Sequence, residues 1–323
     1  MGVQEISDAG RRSTAANMVL LRPAGNVPTI AANVLDDARR GEIVVIEKGL
    51  QAAGLYDEIC TDTIDAIARA ASPEKAALVA DQGFERLHEI LSAEEIFKSN
   101  EIVSRTLTAK AIPIVRRIVE NVIGHTTGFY ALDMAMTRFF TPHDFFAENE
   151  ALFSQRLGNL KIQSPHRDSW FTHARNGINL WIAVGRVSRG NGMMVYPEMW
   201  DRPVEHRGIH AGRKQGYGRP MNFELGRGDI LVFHGEHLHS SEINYTAETR
   251  YVLTSRFVLG PPVYGEGPRW IPHYYTPWLG GPLDFCTNWR SMLDPALGRY
   301  LFDKLCSRYA FTARFRNTAY DDA

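Results

Sequence analysis

The spacing of apolar residues changes once along this 323-residue chain, near Ala131, and that change restricts the folds open to it. Between about residues 51 and 123, apolar side chains recur at the three- and four-residue intervals of amphipathic helices. After Ala131 they form short β-like runs that glycine, asparagine and proline interrupt. The pattern predicts an α+β, mainly β protein, in which a helical N-terminal half precedes a β core.

The N-terminal half contains one predicted strand and several predicted helices. The strand is EIVVIEKGL, residues 42–50, which ends at Gly49. Ser72-Pro73-Glu74 is a typical helix start, and Gly124 ends the last helical stripe. Each stripe places its apolar members on one helix face, so core packing is the simplest reason for them. The stripes comprise Ile59, Ile64, Ile67 and Ala71, then Phe84, Leu87, His88 and Leu91, and finally Ile112, Val115, Ile118, Val119 and Val122.

The β runs and the absence of an obvious linker predict one domain over residues 1–323. Its parts are a mainly helical segment 1–130, a β core 131–260 and an extension 261–323, helical from about Pro295 to Tyr309. Several short strands punctuated by turns favour a sandwich or barrel. The predicted runs are ALDMAMTRFF, LKI, GINLWIAV, GMMVYP, GDILVFH and RYVLTSRFVLG.

Composition excludes several classes of partner. A formal net charge of -1 gives no electrostatic footprint for nucleic acid. Cys60, Cys286 and Cys306 lie far apart and form no CxxC motif, which favours a reducing cytoplasm. The sequence has no recognisable signal peptide and no apolar stretch of about 18 residues. We therefore expect a cytoplasmic protein without a membrane or nucleic-acid partner.

The segment QSPHRDSW carries the first chemical signal, because it places His166 and Asp168 two residues apart. On a strand, residues i and i+2 point to the same face, so an imidazole and a carboxylate can reach one metal ion. The later segment GDILVFHGEHLHSSEIN offers His234, His237 and His239 as a third ligand. Two histidines and one carboxylate form a facial triad, which leaves positions open on iron(II).

A strand arginine follows this second segment. Arg250 lies 11 positions after His239 and begins the run YVLTSRFV, where a guanidinium can pair bidentately with a dicarboxylate cosubstrate. Arg256 lies six residues further on, on the same strand face, and is the alternative carboxylate partner.

These segments resemble the phytanoyl-CoA dioxygenase-like family of Fe(II)/2-oxoglutarate oxygenases over roughly residues 130–260. The resemblance rests on SPHRDSW, RGNGMMVYPEMW, RGDILVFHGEHLHSSEIN and Arg250. It implies a double-stranded β-helix, a jelly-roll or cupin-like core, with metal and cosubstrate inside its mouth. The family's glycine-serine-histidine after the proline is replaced here by Glu198-Met199-Trp200.

The resemblance also implies a site. Its register to Ser241, Asn244 and Arg250 selects His239 as third ligand, so His166, Asp168 and His239 are the expected metal ligands. Fe(II), 2-oxoglutarate and O2 are the expected cofactor and cosubstrates, with ascorbate as reductant in vitro. The residues expected to bind 2-oxoglutarate, either by this resemblance or by strand position, are Arg250, Asn179, Ser241, Gln163 and Trp181.

The expected activity is hydroxylation of an unactivated C–H bond in a small molecule of bacterial secondary or specialised metabolism. Desaturation, epoxidation and ring formation are alternatives, whereas Asp168 argues against halogenation. A non-catalytic jelly-roll binding protein and a zinc hydrolase built on HGEHLH are rival classes. Trp170 is a candidate wall of the substrate cavity. The basic loop 202–219 suits an anionic or carrier-bound substrate, although such loops are usually only solvated.

Overall fold

The computed structural model describes residues 4–5, 18–21, 31–126, 128–154, 160, 162–171, 173–212, 216–264 and 275–278. For residues 4–5, 18–21, 31–33 and 275–278, only the backbone is described. The predicted helix from about Pro295 to Tyr309 lies outside the described residues, as does most of the predicted extension.

Helices occupy most of the chain before residue 124. Two of them start at a serine N-cap: Ser72, as predicted, accepts a hydrogen bond from the Lys75 amide, and Ser92 forms a capping box with Glu95. A π-helical turn, Val119–Ile123, ends at Gly124 in the left-handed region. The α-helices are α1 (Ala31–Arg39), α2 (Gly49–Ala52), α3 (Tyr56–Ala70), α4 (Pro73–Gln82), α5 (Leu87–Ile90), α6 (Ala93–Ala109), α7 (Ala111–Ile118), α8 (His143–Glu148) and α9 (Glu150–Phe153).

The described strands form one large sheet, one small sheet and a hairpin. The strands are β1 (Gln4–Glu5), β2 (Met18–Leu21), β3 (Ile43–Ile46), β4 (Phe129–Leu132), β5 (Met136–Phe140), β6 (Ile178–Ala183), β7 (Met193–Val195), β8 (His206–Arg207), β9 (His210–Ala211), β10 (Met221–Asn222), β11 (Ile230–His234), β12 (His239–Ser241), β13 (Arg250–Leu259) and β14 (Tyr275–Trp278). The large sheet has the order β1-β2-β3-β11-β6-β13-β4-β14, and β5 also pairs with β13. The small sheet has the order β10-β7-β12, and β8 pairs with β9. Every pairing is antiparallel except that of β2 with β3.

The long strand β13 separates two apolar layers, because its side chains alternate between the faces of the large sheet. Tyr251, Leu253 and Phe257 pack on one face with the helices. Val252 packs on the other face with Trp181 of β6 and with residues of the small sheet. The space between the two sheets is where the functional side chains converge.

Some local predictions were wrong. The predicted strand 42–50 ends at Ile46, since Lys48 adopts a φ of 51° and α2 begins at Gly49. A side chain at Gly49 would place its Cβ 2.7 Å from the Cδ1 atom of Ile230, so glycine lets α2 start there without displacing that buried side chain. ALDMAMTRFF, residues 131–140, covers the end of β4 and all of β5, and the described residues of LKI lie outside any strand. Within the described chain, no helix has the length and hydropathy needed to cross a bilayer.

Candidate metal centre

His166 and His239 face each other across an isolated antiparallel β-bridge. Each donates its backbone N–H to the other's carbonyl, at 2.9 and 3.0 Å. Directly opposed residues of an antiparallel pair present their side chains on the same face. The two imidazoles therefore lie side by side, with ring centroids 4.3 Å apart.

Asp168 reaches the histidines from a turn. The sequence interpretation placed His166 and Asp168 on one strand, but the chain leaves the bridge after His166 and enters a 3-10 turn, Asp168–Phe171. The Asp168 amide donates to the Gly235 carbonyl at 3.0 Å, which fixes the start of that turn beside β11. Its Oδ1 atom lies 3.8 Å from Nε2 of His239.

The three side chains have the geometry of a metal site. One ligand atom from each of His166, Asp168 and His239 lies within 4.8 Å of the other two. Small side-chain rotations would bring all three to the roughly 2.0–2.2 Å that N and O ligands keep from a divalent ion. Their exposed fractions are 3%, 2% and 6%, so water competes little for them.

Hydrogen bonds set the tautomers of both histidines. Nδ1 of His166 donates to the Ser164 carbonyl at 2.7 Å, and Nδ1 of His239 donates to the His237 carbonyl at 2.9 Å. Each imidazole thus keeps the lone pair of Nε2 for a metal ion, as metal-binding histidines usually do. Phe171 and Phe233 pack edge-on against the rings of His166 and His239, at 4.8 and 5.3 Å.

The charge states also suit a cation. Burial lowers the pKa of His166 to about 3 and lowers that of His239, so both imidazoles are neutral at neutral pH. Burial alone would raise the pKa of Asp168, but the Arg256 guanidinium beside it outweighs that effect and holds the pKa well below its usual range. Two neutral imidazoles and one carboxylate match the donor set preferred by iron(II) in facial-triad sites.

The other two histidines of HGEHLH point elsewhere. His237 is fully buried, and its Nε2 atom donates to the Gly41 carbonyl at 2.9 Å. His234 accepts the Glu236 amide at 3.2 Å. Both rings pack against Trp200. Because His234, His237 and His239 do not converge on one point, HGEHLH does not form the zinc site of the hydrolase considered in the sequence analysis.

A cavity of about 130 Å³ adjoins the triad, between the two sheets. Its lining includes every residue predicted to bind 2-oxoglutarate, together with Arg256, the alternative carboxylate partner, and with two side chains that the sequence analysis did not single out. The predicted members are Gln163, Asn179, Trp181, Ser241 and Arg250, and the additional ones are Arg138, His173 and Arg256.

Arg250 enters the cavity from the start of β13 and has an exposed fraction of 1%. Its Nη1 atom donates to the carbonyls of Asn191, at 2.5 Å, and Gly192. The guanidinium also lies over the rings of Phe140 and Trp181, at 4.4 and 5.5 Å from their centroids. Its Nε atom has no hydrogen-bond partner in the described structure, and burial lowers its pKa well below the usual value. This buried cation is suited to an anionic ligand.

The remaining predicted residues take different positions around the cavity. Ser241 accepts the Arg138 guanidinium at 3.1 Å and the Gln163 amide at 3.3 Å. Trp181 packs beside Arg250, as above. Asn179, expected to contact the cosubstrate, lines the cavity and donates its Nδ2 to Oδ2 of Asp168 at 2.5 Å.

Arg256 was weighed as the alternative partner for the cosubstrate carboxylate. In the structure it forms a bidentate pair with Asp168, at 3.0 and 2.8 Å. Strand alternation had placed Arg250 and Arg256 on one face, and both do line the cavity. Arg138, which the sequence analysis did not single out, lies opposite Val252 in the β5–β13 register and also lines the cavity. No pattern in the sequence pointed to His173.

Within the described part of the basic loop, β8 and β9 form a hairpin against the His166 segment. The Ala211 amide donates to the Pro165 carbonyl at 3.1 Å, and His210 shares a 2.7 Å hydrogen bond with Ser164. Trp170 stacks on His206, with ring centroids 4.2 Å apart. Trp170 thus contacts the hairpin, whereas Phe171 lines the cavity.

Comparisons with known proteins give one family match and several similar solved structures. The model of the phytanoyl-CoA dioxygenase (PhyH) family matches residues 43–252, more than half of the chain. No curated protein matched the sequence. Similar solved structures include the apo form of EctD from S. alaskensis, with 15% identity and a TM-score of 0.46, covering 81% of this chain and 91% of that one. They also include the α-ketoglutarate-dependent epimerase SnoN of nogalamycin biosynthesis, with 13% identity, a TM-score of 0.43 and coverages of 79% and 97%.

Proposed function

The chain belongs to the phytanoyl-CoA dioxygenase family and is a non-haem, Fe(II)- and 2-oxoglutarate-dependent oxygenase; from this premise, we propose that it hydroxylates an unactivated C–H bond of a small molecule. The observation that carries the proposal is the convergence of two neutral imidazoles and an ionised carboxylate beside a buried cavity. Desaturation, epoxidation and ring formation use the same residues, so product analysis must choose among them.

We assign the iron(II) ligands as Nε2 of His166, Nε2 of His239 and a carboxylate oxygen of Asp168. When bound, iron supplies the activation of O2 that oxidises the C–H bond, which no protein side chain can provide alone. The chain's own contribution is to hold three ligands on one side of the ion, which leaves the other positions open. Phe171 and Phe233 exclude water from the imidazoles, which strengthens the electrostatic interactions there.

We assign Arg250 to the distal carboxylate of 2-oxoglutarate. Its burial supports this role, because a charge-assisted pair is strongest where water is excluded. Ser241, Gln163 and Trp181 line the same cavity and would orient the bound dicarboxylate. Arg138 is the rival anchor, since burial lowers its pKa only to about 10 and it remains a cation.

The size and lining of the cavity bear on the substrate. A cavity of about 130 Å³ is smaller than the roughly 300–1,000 Å³ of sites that enclose drug-sized ligands. We therefore propose that the enclosed part receives the cosubstrate and the reacting carbon, while the rest of the substrate extends through the mouth. An anionic or carrier-bound substrate would find Arg202 and Arg207 in the loop that borders the His166 segment.

The sheets support a further structural proposal. The large sheet, which is antiparallel except for the β2–β3 pair, and the small sheet would form the two sides of a double-stranded β-helix, with the triad between them. A single domain and a cytoplasmic location stay predictions from the sequence.

Reconstitution tests the proposed function. Purified protein is incubated with iron(II), ascorbate, 2-oxoglutarate and a metabolite library, while succinate and products 16 mass units heavier are measured. We expect succinate in the wild type and none in Asp168→Ala. A wild-type protein that binds iron and 2-oxoglutarate but never forms succinate would instead be a binding protein.

A further inference from the structure

The carboxylate of Asp168 is held by two side chains from neighbouring strands. Asn179 on β6 and Arg256 on β13 are directly opposed in the sheet register, so both project from the same face. Both are buried, and both donate hydrogen bonds to Asp168. The pairing of β6 with β13 therefore sets the positions of the two donors.

The two carboxylate oxygens have different surroundings. Oδ2 accepts two hydrogen bonds, from Nδ2 of Asn179 at 2.5 Å and from Nε of Arg256 at 3.0 Å. Oδ1 accepts one, from Nη2 of Arg256 at 2.8 Å, and it is the oxygen that lies 3.8 Å from Nε2 of His239. Oδ1 therefore keeps a lone pair for an ion shared with the histidines, whereas Oδ2 is occupied by donors.

This asymmetry affects how the carboxylate could bind a metal. Carboxylates ligate metal ions through one oxygen or through both. Using both would require Oδ2 to turn towards the ion, away from Asn179 and Arg256. The planar guanidinium fork resists that rotation, because its two parallel hydrogen bonds fix the carboxylate plane.

We propose that Arg256 and Asn179 are positioning residues that hold Asp168 as a one-oxygen ligand, so that the position Oδ2 would otherwise take stays open for 2-oxoglutarate. The proposal rests on the assignment of Asp168 as an iron ligand. It gives Arg256 a role distinct from that of Arg250, which we assign to the cosubstrate itself.

Cobalt(II) tests the proposal without turnover, because its visible spectrum reports the number and type of its ligands. Full-length metal-free protein is loaded with Co(II), its spectrum is recorded, and 2-oxoglutarate is then titrated calorimetrically. The variants are Arg256→Met, Arg256→Lys and Asn179→Ala. Arg227→Met is the matched control, since Arg227 forms a bidentate pair with buried Glu85 outside the cavity, at 3.0 and 2.6 Å.

We expect Arg256→Met to bind one Co(II), to show an altered spectrum before 2-oxoglutarate is added, and to bind 2-oxoglutarate about tenfold more weakly. Arg256→Lys should lie between Arg256→Met and wild type, and Asn179→Ala should change in the same direction by less. Arg227→Met should match the wild type in both measurements. Arg256→Met is also followed by thermal unfolding, and if it does not fold, Asn179→Ala decides alone.

Two results would overturn the proposal. One is a wild-type cobalt spectrum and wild-type affinity for 2-oxoglutarate in the folded variants. The other is a wild-type cobalt spectrum with weakened 2-oxoglutarate binding, which would mean that Arg256 contacts the cosubstrate directly. Failure of the proposed function looks different, because the wild-type protein itself would then fail to bind Co(II) or 2-oxoglutarate.

Discussion

Replacing Arg250 with methionine should remove tight binding of 2-oxoglutarate while leaving the metal-free protein folded. The guanidinium is buried in the cavity and bonds two backbone carbonyls, those of Asn191 and Gly192. Methionine fills much of the same space without the charge. The substitution therefore separates the binding of an anion from the packing of the cavity wall.

The size of the expected loss in 2-oxoglutarate affinity follows from the burial of Arg250. Leaving one partner of a buried ion pair uncompensated costs about 3–5 kcal/mol. At about 1.4 kcal/mol for each factor of ten, the dissociation constant for 2-oxoglutarate should rise roughly 150- to 4,000-fold. The metal-free protein loses two hydrogen bonds but no longer buries a cation. These effects oppose each other, so its free energy of unfolding should change by less than about 2 kcal/mol.

Calorimetric titration of 2-oxoglutarate into the Co(II)-loaded protein measures the dissociation constant. Urea unfolding of the metal-free protein measures the free energy of unfolding. Arg138→Met is the matched control, because it removes another cation from the same cavity. We expect its affinity to fall less than that of Arg250→Met. Near wild-type affinity in Arg250→Met, with the loss in Arg138→Met, would refute the assignment of Arg250.

Three further outcomes follow from the structure. Asp168→Ala should form no succinate in the reconstituted assay, and turnover at the wild-type rate would contradict the ligand assignment. His166 and His237 are buried and neutral, each with a pKa lowered to about 3, whereas in the unfolded chain each titrates near 6.5. Since the unfolded state then binds more protons, metal-free stability is full above about pH 6.5 and should fall by about 1.4 kcal/mol per histidine for each pH unit below it, measured by urea unfolding. Tyr251→Phe removes the 2.8 Å hydrogen bond to Thr63 on the helix side of the sheet, so unfolding should cost about 1 kcal/mol less while 2-oxoglutarate binding is unchanged.

The spacing of apolar residues predicted the order of helices and strands. It did so because the side chains on one face of a helix or strand here pack against the same layer of the fold. On β13, Tyr251, Leu253 and Phe257 pack with the helices. The alternate residues Arg250, Val252, Thr254 and Arg256 line the cavity, so alternation alone placed Arg250 and Arg256 together. The spacing of His166 and Asp168 pointed to a shared site, and the structure brings both beside His239. That they bind iron stays a prediction.

The contacts that individual side chains make were harder to predict than the strand face on which each side chain lies. The role of Arg256 depends on the register of β13 with β6, which is a long-range property that local spacing does not encode. Asp168 was assigned to a strand because the rule that strand residues i and i+2 share a face was extended past His166, where the β-bridge ends. The 3-10 turn that follows depends on a hydrogen bond to Gly235, 67 residues further along the chain. His173 lacked any local pattern, although it too reaches the cavity.

The reciprocal backbone bonds between His166 and His239 have a consequence for loading the ion. The distance between the two imidazole-bearing backbones is set by peptide groups, so it exists before any ion arrives. Small zinc domains, in contrast, gather their ligands only as the metal folds them. Here an entering ion meets two imidazoles that the backbone already holds side by side. The free energy of metal binding is therefore not reduced by the cost of ordering these two segments.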